Sequence, residues 1–341
     1  MSAKGLLLIN LGSPEAPTSP ALRRYLNEFL MDPYVIDLPR VLRAPLVYGL
    51  ITPFRAPKSA AAFAKIWTPQ GSPLQIFTER FCEGVKQELE PEWSVRWAMR
   101  YGDPSLRETV KNWNVRDVYI VPLYPQYAES STRSALEFAV KELRRSNSNQ
   151  RIFALDDFHG EKEFVQTQAA QISESAAKFN PDWILLSFHG LPEHHMTKLH
   201  GTHCLKSETC CDSLSASNRY CYRAQAFATG RDLRPLINFP EEKISVSFQS
   251  RLGRRPWIKP YTDFVVTELA ERGVKRLLVS CPSFVADCLE TLEEIQMRLR
   301  EQFLREGGDD LCLVPALNDK PIWKKEFSRM ISRTNLPWHE M

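Results

Sequence analysis

Nowhere does the chain carry an apolar run approaching the roughly 18–20 residues of a membrane span. No Lys/Arg-dense stripe with interleaved aromatics is present, and the formal net charge is only +3. Nothing therefore points to a nucleic-acid partner. Neither a GxGxxG nor a Walker pattern occurs, which removes the usual ground for a nucleotide cofactor. The opening "MSAKGLLLIN" holds one Lys and a short apolar run, then turn residues. It reads as a first strand rather than a signal peptide. A cytoplasmic location is expected, where cysteines stay reduced. The eight cysteines then read as thiols or metal ligands, not as a disulfide framework.

What is present is a set of eight short apolar runs: 5–10, 94–100, 117–124, 151–158, 182–190, 243–250, 276–282 and 311–318. Several are near-continuously hydrophobic, as parallel strands covered on both faces must be. Helical patterns separate them, among them "SALEFAVKELRRS", "EFVQTQAAQISESAAKFN" and "DCLETLEEIQMRLREQFLREGG". Alternation of this kind predicts a doubly wound α/β fold with two four-stranded parallel halves. The expected division is 1–157, joined by a C-terminal helix over 319–341, and 158–318, with a Cys-rich insertion at about 194–221. Ligands of such folds bind beyond the carboxyl ends of the strands.

Those strand ends carry the chemistry-bearing residues. His189 follows "WILLSF" directly and faces the rim, where a neutral imidazole can accept a proton or touch a metal; a hydrogen-bonded structural histidine is the plainer reading. Asp287, Glu290 and Glu294 fall within about 60° of one another on an ideal helix. They form either a carboxylate column for protons or a cation, or a solvated face favoured by the helix dipole. Arg100, Tyr101, Tyr124, Tyr127, Arg251, Arg254 and Trp257 gather at the same rim. Flat aromatics with Arg suit a large planar ligand bearing carboxylates, and ordinary packing competes. Residues 38–57, "LPRVLRAPLVYGLITPFRAP", read as a membrane-touching lip or as a buried amphipathic helix.

Taken together, "LLLINLGSPE", "MRYGDPS", "YPQY", "SFHGLP", "SFQSRLGRRPWIKPYTD", "CPSFVADCLETLEEI" and "PALND" resemble the ferrochelatases, which insert Fe²⁺ into porphyrin. The match runs from residue 6 to residue 319. The resemblance implies two flavodoxin-like domains facing a porphyrin cleft. It implies that His189 is the catalytic histidine and a metal contact, with Glu290 its acidic counterpart and Asp287 and Glu294 the rest of the column. Leu11, Arg55, Arg100, Tyr101, Tyr124, Ser250, Arg251 and Trp257 match cleft positions. Leu11 stands where coproporphyrin-specific members tend to carry Tyr, which implies protoporphyrin IX as the substrate, with protohaem and two protons as products. Coproporphyrin III as substrate, and a non-catalytic porphyrin or haem carrier, are the competing readings. The apolar lip implies peripheral contact with the cytoplasmic face of the inner membrane, and a homodimer is compatible with the resemblance.

Cys204, Cys210, Cys211 and Cys221 are spaced C-x5-C-C-x9-C. Four thiolates are the number a 2Fe–2S cluster needs, though the spacing matches no ferredoxin pattern. Zinc competes, since His194, His195, His200 and His203 are close by, and so does a loop of plain thiols. The animal-type cluster of the family is not expected: Glu129 stands at one of its ligand positions and the chain ends at "LPWHEM". The resemblance is to bacterial members with an internal four-cysteine segment. Cys82, Cys281, Cys288 and Cys312 read as small core residues.

Overall fold

The apolar runs become strands whose residues have nowhere to go but inward. A computed structural model describes residues 4–200, 204, 205, 207, 209–251, 253 and 255–341, with the side chain of His200 excepted. The chain divides into two units. One comprises Met1–Tyr124, Glu129–Asp157 and Asp319–Met341, the other Pro125–Ala128 and Phe158–Asn318.

In the first unit, β1 (Lys4–Gly12), β2 (Trp93–Tyr101), β3 (Asp117–Pro122), β4 (Arg151–Ala154) and a two-residue strand at His339–Glu340 make one sheet. Its order is β2-β1-β3-β4, with the short strand at the edge beyond β4 and antiparallel to it. The central strand is the most apolar: Leu6, Leu7, Leu8 and Ile9 are fully buried, as a parallel strand between two neighbours requires. Gly12 ends β1 at φ +119°, and a Cβ there would lie 1.8 Å from the Tyr101 carbonyl oxygen. Only glycine fits where the ends of β1 and β2 pinch together. Helix Ser134–Ser146 lays Ala135, Leu136, Ala139 and Leu143 against Ile120 and Ile152. Helix Pro321–Ile331 packs Trp323 and Phe327 against Phe81 of helix Pro73–Glu88, with ring centroids 5.7 and 5.1 Å apart.

The expected helix over 319–341 is thus corrected. It stops at Ile331, and the chain turns to form the edge strand. That strand also makes this sheet five-stranded rather than four-stranded. Over residues 40–66 the chain forms helix Arg40–Pro45, a π-helical stretch Leu46–Ile51 and helix Thr52–Ile66. Val47, Ala56 and Ala60 pack onto Leu22, Leu26 and Leu30. Val41, Leu42, Leu50 and Phe54 stay exposed, Val41 by 78% and Phe54 by 70%.

The second unit repeats the plan. With the edge strand counted as β9, its strands are β5 (Trp183–His189), β6 (Ile244–Gln249), β7 (Arg276–Ser280) and β8 (Asp310–Leu313), all parallel in the order β6-β5-β7-β8. Leu185, Leu277, Val279, Leu311 and Leu313 meet Val266, Leu269, Ile295, Leu299 and Phe303 in its core. Both sheets share the flavodoxin-like order 2-1-3-4. In the second unit the order reverses between β5 and β7, the place where such folds bind ligands. The eight apolar runs and the eight long strands coincide.

Candidate active site and thiol cluster

His189 is the last residue of β5, at this switch point, and is half-buried. Its ring stands edge-on to Phe284, with centroids 6.0 Å apart. The next residue is fixed by space: a Cβ on Gly190 would lie 2.5 Å from the Gln249 carbonyl oxygen and 3.3 Å from the Trp257 ring. Gly190 N–H donates to that same carbonyl at 2.8 Å. Buried Gln249 then ties three elements. Its Oε1 accepts from Ser187 Oγ at 2.8 Å and from the Cys281 thiol at 3.5 Å, while its Nε2 donates to the Glu290 carbonyl at 2.9 Å.

Glu290 opens a ten-residue π-helix, Glu290–Leu299, that passes into helix Arg300–Arg305. In a π-helix the bonds run i→i+5 and each turn holds more residues than an α-turn. Glu293 and Arg298, five apart, pair at 2.7 Å in consequence. Glu290 and Glu294, four apart, stay on nearly one face. Asp287 precedes the helix, which corrects the expected three-carboxylate column: the structure gives a pair. Asp287 is buried and fully engaged. It accepts from Thr291 Oγ1 at 2.9 Å, Asn318 Nδ2 at 2.7 Å and the Ala316 N–H at 3.2 Å, while its own N–H donates to Asn318 Oδ1 at 2.8 Å. Burial raises its carboxyl pKa, and those three donors oppose the rise.

Glu294 accepts from both the N–H and the Oγ of Ser250, at 2.7 and 2.6 Å. Ser250 itself holds φ +67°, a sparsely populated conformation for a side-chain-bearing residue. Burial pushes the Glu294 carboxyl pKa up. The Ser250 bonds, the charge of His189 and then Arg298 pull it down, and Glu290 pushes it up. Through Gln249 and Ser250, Glu290 and Glu294 are tied to the carboxyl end of β5, where His189 stands. Cys288 is hydrogen-bonded to Glu290, and its thiol is pushed well above the ordinary range by burial first.

The other rim residues are more occupied than a ligand-facing reading implies. Arg100 Nη2 meets Asp32 Oδ2 at 2.6 Å, and Arg100 Nε meets Ser134 Oγ at 2.8 Å. The Tyr101 hydroxyl and Ser134 Oγ also donate to Asp32 Oδ2, at 2.8 and 2.5 Å. Tyr101 is a core residue, 1% exposed. The structure thus corrects Arg100 and Tyr101: they satisfy a buried carboxylate, because an unpaired charge there costs too much. Arg251 pairs with Asp263 at 2.7 Å and lies over Tyr261 and Phe264. Leu11, Arg55 and Trp257 are half-buried. Trp257 bridges Pro192 in the backbone. The Tyr124 hydroxyl is buried with no hydrogen-bond partner among the described residues. Tyr127 is buried against Tyr220, with centroids 4.8 Å apart. Arg254 and His203 lie outside the described residues.

Four thiols of the second unit, Cys204, Cys210, Cys211 and Cys221, come together. Cys210 and Cys211 Sγ are 3.6 Å apart. Cys211 is in hydrogen-bond contact with Cys221, and Cys221 with Cys204. The Cys221 pKa is pushed up to about 11, first by Cys204. Cys204 is shifted down, chiefly by Cys221. Among the described residues no group of three or more His, Cys, Asp or Glu is gathered round one point to hold a metal ion. His194 and His195 stack edge-on on each other at 4.5 Å. Sequence reasoning missed Asp32, Tyr222 and the roles of Gln249, Ser283 and Asn318; the last three stood inside quoted motifs, but their partners are distant in the chain.

The ferrochelatase family model matches residues 3–335. A Coxiella burnetii protein named ferrochelatase is 43% identical over 335 residues, covering 97% of this chain and 93% of that protein. A Pseudomonas fluorescens protein of the same name is 44% identical over 342 residues, with 98% of each chain covered. A Pseudomonas savastanoi pv. phaseolicola protein, also so named, is 45% identical over 345 residues, covering 98% of this chain and 99% of that protein. Among solved structures, SirB from Bacillus subtilis with Fe³⁺ aligns at TM-score 0.55 and 12% identity, covering 96% of this chain and 94% of that one. A sirohydrochlorin chelatase SirB from B. subtilis subspecies spizizenii in complex with cobalt aligns at TM-score 0.52 and 11% identity, covering 96% and 92%. Those two bear on the fold alone. The family match and the sequence identities together settle the assignment: this chain belongs to the ferrochelatase family.

Proposed function

We propose that the chain inserts Fe²⁺ into protoporphyrin IX to give protohaem and two protons. The observation that carries this reading is the grouping of His189 with the Glu290–Glu294 pair at the β5/β7 switch point. Two inner N–H groups of the porphyrin must be deprotonated as iron enters. An imidazole at a strand end is a competent acceptor near neutral pH. His189 takes the pyrrole protons and touches the metal, and Glu290 meets the iron. Glu294, held by Ser250, is the next carboxylate along the helix and carries protons away. Asp287 acts by holding the start of the helix. Leu11, Arg55, Tyr124 and Trp257 are the residues offered to the macrocycle, while Arg100, Tyr101 and Arg251 act through the groups they pair with. Iron is substrate here, not a resident cofactor.

Contacts of Cys210 with Cys211, Cys211 with Cys221 and Cys221 with Cys204 bring the four thiols together. The 3.6 Å between Cys210 and Cys211 is close to the ~3.7 Å edge of a thiolate tetrahedron around a metal at ~2.3 Å. Four Cys are the donor set that a 2Fe–2S cluster takes, and we favour it for this segment. Such a cluster supplies one-electron redox chemistry when bound. The exposed Val41, Leu42, Leu50 and Phe54 suit peripheral contact with the inner membrane from the cytoplasmic side, and no helix of the described residues is long and apolar enough to cross it.

The test is turnover of protoporphyrin IX and coproporphyrin III with Fe²⁺ by the parent, His189→Ala and Glu290→Ala proteins. Loss of insertion in both variants, with protoporphyrin preferred by the parent, is the expected result. Equal rates in all three would refute the site, and stoichiometric haem binding without turnover would make the chain a carrier. Anaerobically purified protein should hold about two irons and two sulfides per chain, the 2Fe–2S stoichiometry. Zinc or no metal would refute the cluster.

A further inference from the structure

β5 outruns one of its neighbours. It pairs with β7 only as far as Leu186↔Ser280, yet continues to His189 alongside β6. Successive amides of a strand point to opposite sides. Gly190 N–H bonds the Gln249 carbonyl on the β6 side, so His189 N–H points toward the side where β7 has ended. A backbone donor there needs a substitute for the missing strand.

One hydroxyl replaces it, and a second braces the first. His189 N–H donates to Ser283 Oγ at 3.3 Å. The Tyr222 hydroxyl lies 2.9 Å from that same Ser283 Oγ. Ser283 belongs to the turn after β7. Tyr222, 5% exposed, is the first residue of helix Tyr222–Leu233, and the N-cap of that helix is Cys221. Cys221 is the thiol in contact with both Cys204 and Cys211. The same helix grips the thiol segment a second time, through Arg231 Nη1 and the Cys211 carbonyl at 3.1 Å. One peptide bond thus separates a member of the thiol group from the side chain that braces Ser283, the acceptor of the histidine's own N–H.

We propose that Tyr222 is a positioning residue for His189, and that through it the state of the thiol segment is felt at the histidine. The proposal rests on the reading of His189 as proton acceptor. A shift of Cys221, whether by metal capture, metal loss or oxidation, moves the helix N-terminus and with it the Tyr222 ring. Gly190 is clamped to Gln249, so the Tyr222–Ser283–His189 N–H chain is the part of the strand end free to change. Hydrogen bonds of this kind weaken steeply with distance and angle.

The experiment uses the full chain, without porphyrin, and reads the His189 backbone amide by its NMR shift and hydrogen exchange. Tyr222→Phe keeps the ring and removes the hydroxyl. The expected result is a displaced amide resonance and exchange faster by about threefold to tenfold, since the variant loosens Ser283 and weakens its bond to the amide by up to one neutral hydrogen bond. Turnover on Fe²⁺ and protoporphyrin IX should fall about fivefold to tenfold in kcat, with KM for porphyrin unchanged. Ser283→Ala should move the same amide, and Ser283→Thr should restore it. Cys204→Ser alters the thiol group at the partner of Cys221 and changes no residue of the helix. It should displace the His189 amide in the parent, but not in the Tyr222→Phe background. An amide unmoved by both Tyr222→Phe and Ser283→Ala overturns the positioning role. A Cys204→Ser effect that is absent, or that persists undiminished without the Tyr222 hydroxyl, overturns the link. Failure of the parent to metallate porphyrin would sink the proposed function instead, and the amide measurements would still decide this one.

Discussion

The reciprocal pair between Asp287 and Asn318 gives the sharpest energetic prediction. Asn318→Gly deletes two bonds at once, Asn318 Nδ2 to Asp287 Oδ2 at 2.7 Å and Asp287 N–H to Asn318 Oδ1 at 2.8 Å. Glycine is the right probe because Asn318 sits at φ +50°, where alanine would add about 1 kcal/mol of left-handed strain. A bond to a charged acceptor contributes about 1.5–3 kcal/mol and a neutral one about 1, so the expected loss is about 3 kcal/mol. Asp287→Ala also strands the Ala316 N–H, leaves the Thr291 hydroxyl only Cys288, and should cost about 4 kcal/mol. The double variant should lose little more than Asp287→Ala alone, a coupling of about 2 kcal/mol. With two units in the chain, a single melting curve is a poor readout. Native-state hydrogen exchange of the β8 and Arg300–Arg305 amides is the proper assay. Additivity within about 0.5 kcal/mol would refute the latch and leave Asp287 open to a direct chemical role.

Other outcomes follow from single contacts. Gly190→Ala puts a Cβ 2.5 Å from the Gln249 carbonyl, so stability should fall by about 1–3 kcal/mol and turnover by more than tenfold; a soluble variant with parental turnover would contradict the strand-end packing. Asp32→Ala leaves the Arg100 guanidinium, 12% exposed, without its carboxylate, and should cost about 3–5 kcal/mol in urea unfolding of the first unit. Glu294 has a folded pKa raised by burial. Its stabilising share is therefore fully present below the unfolded value of about 4.3 and is lost as pH rises through the folded value. Glu294→Gln should flatten the decline in stability across that window, and an unchanged slope would show that another group carries it. Replacing Leu42 and Phe54 by Glu should abolish cosedimentation with anionic vesicles, if those exposed side chains are what meets the lipid.

The strands were legible because burial on both faces writes an uninterrupted apolar run. "GLLLIN" and "RLLVS" can scarcely be anything else in a chain with intervening helical periods. The edge strand was not: two residues at His339–Glu340 gain their pairing from β4, far away in sequence. The carboxylate pattern was legible as a pattern but not as a geometry. Cys288, Leu292, Ile295, Leu299 and Phe303 fit an ordinary helical period well enough to hide the wide turn. Arg100 looked available because Asp32 lies 68 residues before it. Tyr222 carried no signal of its own, since its partner Ser283 lies 61 positions downstream. His189 was legible because its address, one step past a buried strand, is local.

The wide turn of Glu290–Leu299 also constrains how this segment can change over generations. Such a stretch holds more residues than an α-helix of the same number of turns. Removing the surplus would restore regular bonding and leave the number of turns unchanged. Leu299 and Phe303 would still face the sheet they cover, and Arg300 would still reach Asp310. What would be lost is the meeting of residues five apart, Glu293 with Arg298. A deletion in Arg300–Arg305, which is already regular, has no such slack and would swing all that follows by about 100° around the axis. Length variation among relatives should therefore be tolerated within Glu290–Leu299 and spare Arg300–Arg305.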